Sequence, residues 1–217
     1  MTKAILWDMD GTLIDSEPAH HAALDNIAAE IGIIVPEEFH LSLTGTTLEN
    51  VHSRFQKLAN TNMEFEVWKA KKWYYYEQHA QEVIRREPLA SLATELAKRK
   101  VPMAVVSNST KEEVECCMQV TKLDEVIPNY ICRYDVTHGK PEPDSYLLGA
   151  KHLKVEPKDC LVVEDSLPGA QAGINAKMQV LYHPQHEVQD ESLIPKGADF
   201  IPYNQSPVDY IENFLKG

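Results

Sequence analysis

The apolar positions change period along the chain, and the change divides it. Ala4, Ile5, Leu6 and Trp7 form a continuous apolar run closed by Asp8, as in a short strand buried on both faces. From residue 17 to about 31, Ala19, Ala22, Ala23, Leu24, Ile27, Ala28 and Ile31 recur at helical spacing, and Gly32 supplies a stop. Pro36-Glu37-Glu38 opens another helix, and Gly45-Thr46-Thr47 interrupts as a polar loop. Helical stretches follow over 48–58 and 65–84, with no strand signal between Asp15 and about Ile84.

Beyond Pro88 strands and helices alternate. Helices are predicted over 89–100, 112–118, 144–153 and 170–176, and strands at 103–106, 131–132, 161–163, 180–182 and 200–201. Alternation of this kind predicts a Rossmann-like α/β core, a doubly wound, mostly parallel sheet. The core takes residues 1–15 and 88–217, and an all-helical insertion takes 16–87.

Composition narrows the setting. The chain has 217 residues, enough for one domain and a modest insertion. No apolar run approaches the ~20 residues of a membrane span, and the run before Asp8 is too short for a secretory signal, so the expected location is the cytoplasm. A net charge of −12 disfavours nucleic acid and anionic membrane surfaces but leaves room for a small anionic substrate in a cleft with its own cations. No heptad asks for a partner, so a monomer is expected. Cys116, Cys117, Cys132 and Cys160 form no Cys-x-x-Cys pair and read as reduced core thiols.

Polar groups collect just past the apolar runs, where open α/β sheets bind their ligands. In Asp8-Met9-Asp10-Gly11-Thr12, two acids two residues apart follow a strand, and Gly11 permits a turn that aims both inward. One acid suits a nucleophile and the other an acid/base; the plain alternative is an Asp/Gly turn. Ser107-Asn108-Ser109 offers a hydroxyl and backbone N–H groups to a phosphate oxygen, or a helix N-cap at Ser109 or Thr110. In Gly139-Lys140-Pro141-Glu142-Pro143-Asp144 two prolines restrain Lys140, which either neutralises an anion or is solvated, with Asp144 as a helix cap. Glu164-Asp165 directly after a buried strand is costly unless a cation meets it, and a hard divalent ion such as Mg²⁺ fits; the alternative is a solvated acidic loop.

Taken in order on an α/β alternation, these four segments resemble the haloacid dehalogenase superfamily, in the subgroup similar to β-phosphoglucomutase and the small sugar-phosphate phosphatases, over essentially the whole chain. The resemblance implies an aspartyl-phosphate on Asp8, acid/base work by Asp10, and phosphate or substrate binding by Ser107, Asn108 and Lys140. It implies Mg²⁺ held by Asp8, Asp10 (through its carbonyl), Glu164 and Asp165, and a small phosphorylated metabolite as substrate. Asp10 argues against the dehalogenase branch, which lacks that acid. The helical block is then a cap, with Thr46 in its specificity loop and His20 near its hinge, both candidate substrate contacts.

Within the block, Lys69, Lys71 and Lys72 read as a solvated face, the alternative being that one of them reaches substrate, and Trp73-Tyr74-Tyr75-Tyr76 read as packing between cap helices and at the cap–core junction, the alternative being stacking on substrate. Thr46, Thr47 and Leu48 stand where mutase-like members carry an arginine after the loop glycine, which favours hydrolysis over a hexose-phosphate mutase. The remaining reading is a non-catalytic phosphate-binding protein; the presence of Asp8, Asp10, Lys140 and Asp165 together argues against it.

Overall fold

The computed structural model describes residues 2–43 and 46–217. By its internal contacts the chain divides into two compact units, residues 1–15 with 84–217 and residues 16–83.

Unit one is built on a parallel sheet. Strands β1 (Ala4–Trp7), β4 (Met103–Val106), β5 (Tyr130–Ile131), β6 (Cys160–Glu164), β7 (Gln179–Tyr182) and β8 (Ala198–Phe200) lie in the order β5-β4-β1-β6-β7-β8. Every pairing is parallel, with Trp7 level with Val105 on one side and Val163 on the other. β1, β4 and β6 are buried along their whole length, as their unbroken apolar runs require once helices cover both faces. Leu6, Val106, Val162 and Val180 pack with Tyr146 and Ala150 in the core on one side of the sheet.

The helices of this unit start at identifiable caps. α6 (Lys111–Val120) opens with a reciprocal capping box between Thr110 and Glu113, so Thr110, not Ser109, is the cap. α7 (Asp144–Leu153) begins at Asp144 itself after Pro143, so Asp144 is the first helical residue rather than the cap. α8 (Leu167–Asn175) is capped by the Ser166 hydroxyl. α5 (Leu89–Lys98) precedes β4, and α9 (Val208–Lys216), which the sequence pattern left unassigned, closes the unit by burying Ile211 and Phe214.

Two short strands escaped the periodicity. β2 (Ile14–Asp15) and β3 (Ile84–Arg85) pair antiparallel as a separate ladder at the ends of the segment leading to unit two. Two residues are too few to show a period, and Ile84 is exposed. The expected division at residue 87 therefore moves to 83, because Ile84 and Arg85 pair with the segment after β1.

Unit two contains helices α1 (Glu17–Glu30), α2 (Glu37–Leu41), α3 (Leu48–Ala59) and α4 (Phe65–Gln78). Leu24, Ile27, Phe55 and Trp68 form its core. The helix expected over 65–84 stops at Gln78, and a 3-10 turn over Ala80–Glu82 follows. His79 bonds Glu82 Oε1 at 2.7 Å there, with its own N–H folded back to Tyr76. Trp68, Lys72 and Tyr76, four residues apart, share the buried face of α4. Lys72 is thus not part of a solvated lysine face: its Nζ lies 3.1 Å from His20 Nδ1 and over the Tyr76 ring. Of the aromatic run, Tyr76 is buried and Tyr75 bonds Glu30 on α1, whereas Tyr74 is exposed. Gly45 of the expected specificity loop lies outside the described residues.

All four cysteines are free, and Cys117, Cys132 and Cys160 are buried. Among the described residues no helix is long and apolar enough to cross a membrane.

Candidate active site

The C-terminal ends of β1, β4 and β6, adjacent in the sheet, carry the acids and hydroxyls picked out in the sequence. Asp8 follows β1 and is buried, its N–H bonded to Val163 O at 2.9 Å, which holds the chain in ladder register up to the carboxylate. The chain then turns sharply. Gly11 has φ +80°, and a Cβ there would lie 2.1 Å from Asp165 Oδ2, so only glycine allows the first loop and Asp165 to meet.

Lys140 is the hub. Its buried Nζ donates to Asp8 Oδ1, to Glu164 Oε1 at 2.6 Å and to the Val106 carbonyl at 2.8 Å. Asn108 holds the lysine backbone from both sides: its Oδ1 accepts from Lys140 N at 3.0 Å and its Nδ2 donates to Lys140 O at 3.4 Å. The Asn108 side chain thus fixes the position of the lysine. Ser107, buried, accepts the Ser109 N–H and donates to Asp10 Oδ2 at 3.4 Å; Ser109 Oγ donates to the same oxygen at 3.2 Å.

Glu164 is fully buried and its carboxylate accepts four hydrogen bonds. Oε1 accepts from Lys140 and from Tyr146 OH at 2.7 Å; Oε2 accepts from Ser166 N at 3.1 Å and Ser166 Oγ at 2.9 Å. The carboxylate occupies the place a side chain at 169 would take, 1.7 Å from an added Cβ, so any side chain at Gly169, in the first turn of α8, has to displace it.

Too many negative charges meet here for the cations present. Burial raises the Asp8 carboxyl well above its usual range, Glu164 pushes it further, and Lys140 pulls against them. Asp165 is pushed up to about 8, first by burial and then by Glu164, against Arg86 and Lys140. Burial works against the Lys140 ammonium, but Asp8 and Glu164 outweigh it and hold it charged. Asp8, Glu164 and Asp165 each offer an oxygen, and those oxygens lie within 4.8 Å of one another. An all-oxygen anionic set with unrelieved repulsion is the donor chemistry a hard divalent cation requires, so the residues fit such an ion.

The structure therefore brings Asp8, Asp10, Ser107, Asn108, Lys140, Glu164 and Asp165 to one rim. Thr46 and His20 belong to unit two, where Thr46 Oγ1 donates to Leu43 O at 2.7 Å and His20 meets Lys72 and Tyr76. Four contributors escaped the sequence reading of the site. Ser166 caps α8, and a serine at a helix start reads as local structure. Ser109 reads in the sequence as a helix cap. Tyr146 is one aromatic on a helix with an ordinary apolar stripe. Arg86 donates to the Gly11 and Pro184 carbonyls, and nothing in its neighbourhood marks it.

Residues 5–182 match the family model of haloacid dehalogenase-like hydrolases, and the chain belongs to this family. It is 29% identical over 212 residues to the 6-phosphogluconate phosphatase of Escherichia coli K12, covering 94% of this chain and 93% of the relative. Hexitol phosphatase A of the same organism is 33% identical over 186 residues, 82% of each chain. Among solved structures, CbbY from Rhodobacter sphaeroides in complex with phosphate superposes with a TM-score of 0.78 at 27% identity, over 92% of this chain and 93% of that one.

Proposed function

We propose that the protein is a Mg²⁺-dependent phosphatase that hydrolyses a small phosphate monoester, a sugar or polyol phosphate, through an aspartyl-phosphate on Asp8. The observation that carries the reading is the buried Lys140 bonded to Asp8 and Glu164, with Asp10 and Asp165 on the same rim. The phosphatases of sugar and polyol phosphates among the relatives support the substrate class.

In the first step an oxygen of Asp8 attacks phosphorus, and the P–O bond to the alcohol breaks. Asp10, protonated, gives its proton to the departing alkoxide, so the alcohol leaves neutral. In the second step Asp10 takes a proton from water, whose oxygen attacks the same phosphorus and frees the Asp8 carboxylate and inorganic phosphate. The Ser107 and Ser109 hydroxyls bonded to Asp10 Oδ2 fix that carboxyl between the steps. Lys140 offsets the charge on both the nucleophile and the transferring group, which is most of what phosphoryl transfer asks of a protein. Asp8, Asp165 and the Asp10 carbonyl, assisted by Glu164 directly or through water, would hold Mg²⁺, which would supply further charge neutralisation.

Under the same proposal residues 16–83 are the cap that selects substrate, with Thr46 and His20 among its candidate contacts. The protein acts as a cytoplasmic monomer on soluble metabolites; the charge of −12 favours neither nucleic acid nor membranes as partners. The test is inorganic phosphate release from a panel of sugar, polyol and nucleotide monophosphates, with Mg²⁺ and with chelator. Release that needs the metal and vanishes in Asp8→Asn and Asp10→Ala is expected; a folded protein that releases none from any monoester overturns the reading.

A further inference from the structure

Arg86 lies one residue beyond β3, its backbone N–H bonded to Leu13 O at 2.9 Å. The side chain runs along the rim of the sheet. Nη1 donates to the Gly11 carbonyl in the loop after β1, and Nη2 donates to the Pro184 carbonyl in the loop after β7 at 2.8 Å. Asp165 follows β6, the strand between those two, and its Oδ2 sits against Gly11, whose carbonyl Arg86 holds. A single planar fork thus joins the loops after β1 and β7, the two strands that flank β6 in the sheet.

The loop it grips is the one whose shape matters. Gly11 N–H bonds Ile14 O at 2.8 Å, which fixes the Asp10–Gly11 peptide; Arg86 fixes the Gly11–Thr12 peptide from the other side. Both planes of the tight turn are therefore pinned, and with them the Asp10 carbonyl and the place where Asp165 Oδ2 sits against Gly11. Thr12 Oγ1, 3.5 Å from Asp165 Oδ1, lies in the same turn. A guanidinium can hold two carbonyls in fixed directions at once; an ammonium cannot reproduce that fork.

We propose that Arg86 is a positioning residue for the divalent cation: it orients the Gly11 turn and Asp165 without touching substrate. The proposal rests on the phosphatase reading for its catalytic consequence but not for its metal-binding one. The two views of Arg86 differ in sign. If it acted only as a nearby positive charge, its removal would tighten cation binding. If it positions the oxygens, its removal weakens binding, as loss of outer partners does, by roughly 10-fold.

The experiment is a calorimetric Mg²⁺ titration of the intact wild-type, Arg86→Met and Arg86→Lys proteins without substrate, with amide exchange read at residues 9–14 and 183–185. Expected are a dissociation constant about tenfold higher in Arg86→Met, faster exchange in both segments, and an Arg86→Lys protein closer to Met than to wild type. If the phosphatase reading also holds, kcat falls about 10- to 100-fold with KM within about twofold. Should Arg86→Met fail to fold, Arg86→Lys carries the same comparison. A lower melting temperature with unchanged Mg²⁺ affinity and unchanged exchange, or tighter Mg²⁺ binding in Arg86→Met, overturns the proposal. If wild type releases no phosphate, the titration and exchange still decide it.

Discussion

Replacing Lys140 by methionine keeps the reach of the side chain and removes its charge. In the native protein that charge satisfies Asp8, Glu164 and the Val106 carbonyl inside a site where Lys140 and Asp8 are each 7% exposed and Glu164 is fully buried. Removal strands two carboxylates away from water, and deleting one partner of a buried pair costs about 3–5 kcal/mol. The loss has a ceiling, because a stranded carboxylate can take a proton instead. Holding a carboxyl with an ordinary pKa near 4 protonated costs about 4 kcal/mol at pH 7 but only about 2 kcal/mol at pH 5.5. The lysine itself stays charged at both, since its folded pKa is raised and its contribution fades only far above neutrality. Lys140→Met therefore loses about 4 kcal/mol near pH 7 and about half that near pH 5.5, measured by urea unfolding in chelator with unchanged slope m. A loss under about 1 kcal/mol, or one equal at the two pH values, refutes the buried, charged triad.

In chelator, Asp165 at about 8 against an ordinary 3.8 means the folded state holds a proton that the unfolded state has released. Stability accordingly falls as pH rises from about 4 to about 8, more steeply in wild type than in Asp165→Asn, and saturating Mg²⁺ removes the difference; identical slopes for the two proteins in chelator would show Asp165 to be an ordinary carboxylate. Gly169→Ala puts a methyl 1.7 Å from Glu164 Oε1, so about 3 kcal/mol or more is lost, partly recovered by the shorter acid in Gly169→Ala with Glu164→Asp. A Gly169→Ala melting temperature within about 2 °C of wild type would count against that packing.

What the sequence shows of this fold follows signal length. The strands Ala4–Trp7 and Met103–Val106 and the helix Asp144–Leu153 stand out because burial on both faces, or a full amphipathic turn, leaves a run too regular to arise in a loop. The ladder of β2 with β3 has two residues a side and no apolar run, so only the three-dimensional pairing reveals it. The acids at strand ends were readable for the same reason as the strands, since a charge directly after a buried run demands a partner. The partners were not readable. Tyr146 and Arg86 reach the site from elements far along the chain, Ser166 sits beside the acids but reads as a helix cap, and all three side chains are ordinary for their own elements. Lys72 shows the converse: a triplet of lysine-rich positions looks solvated until the four-residue spacing with Trp68 and Tyr76 turns one of them inward.

The central place of β1 in the sheet has a consequence for the ribosome. Both neighbours of that strand, β4 and β6, are encoded well downstream: Ile5 pairs with Met103 on one side and Leu161 on the other. At about 5–20 residues per second, the apolar segment waits roughly 5–20 seconds for its first partner and longer for its second. The helical unit of residues 16–83 makes its contacts locally and is translated in that interval. The nascent chain therefore carries Ala4 to Trp7 as an unpaired sticky strand while the contacts of residues 16–83 become complete, which makes the first half of synthesis the period when a holding chaperone matters most to yield.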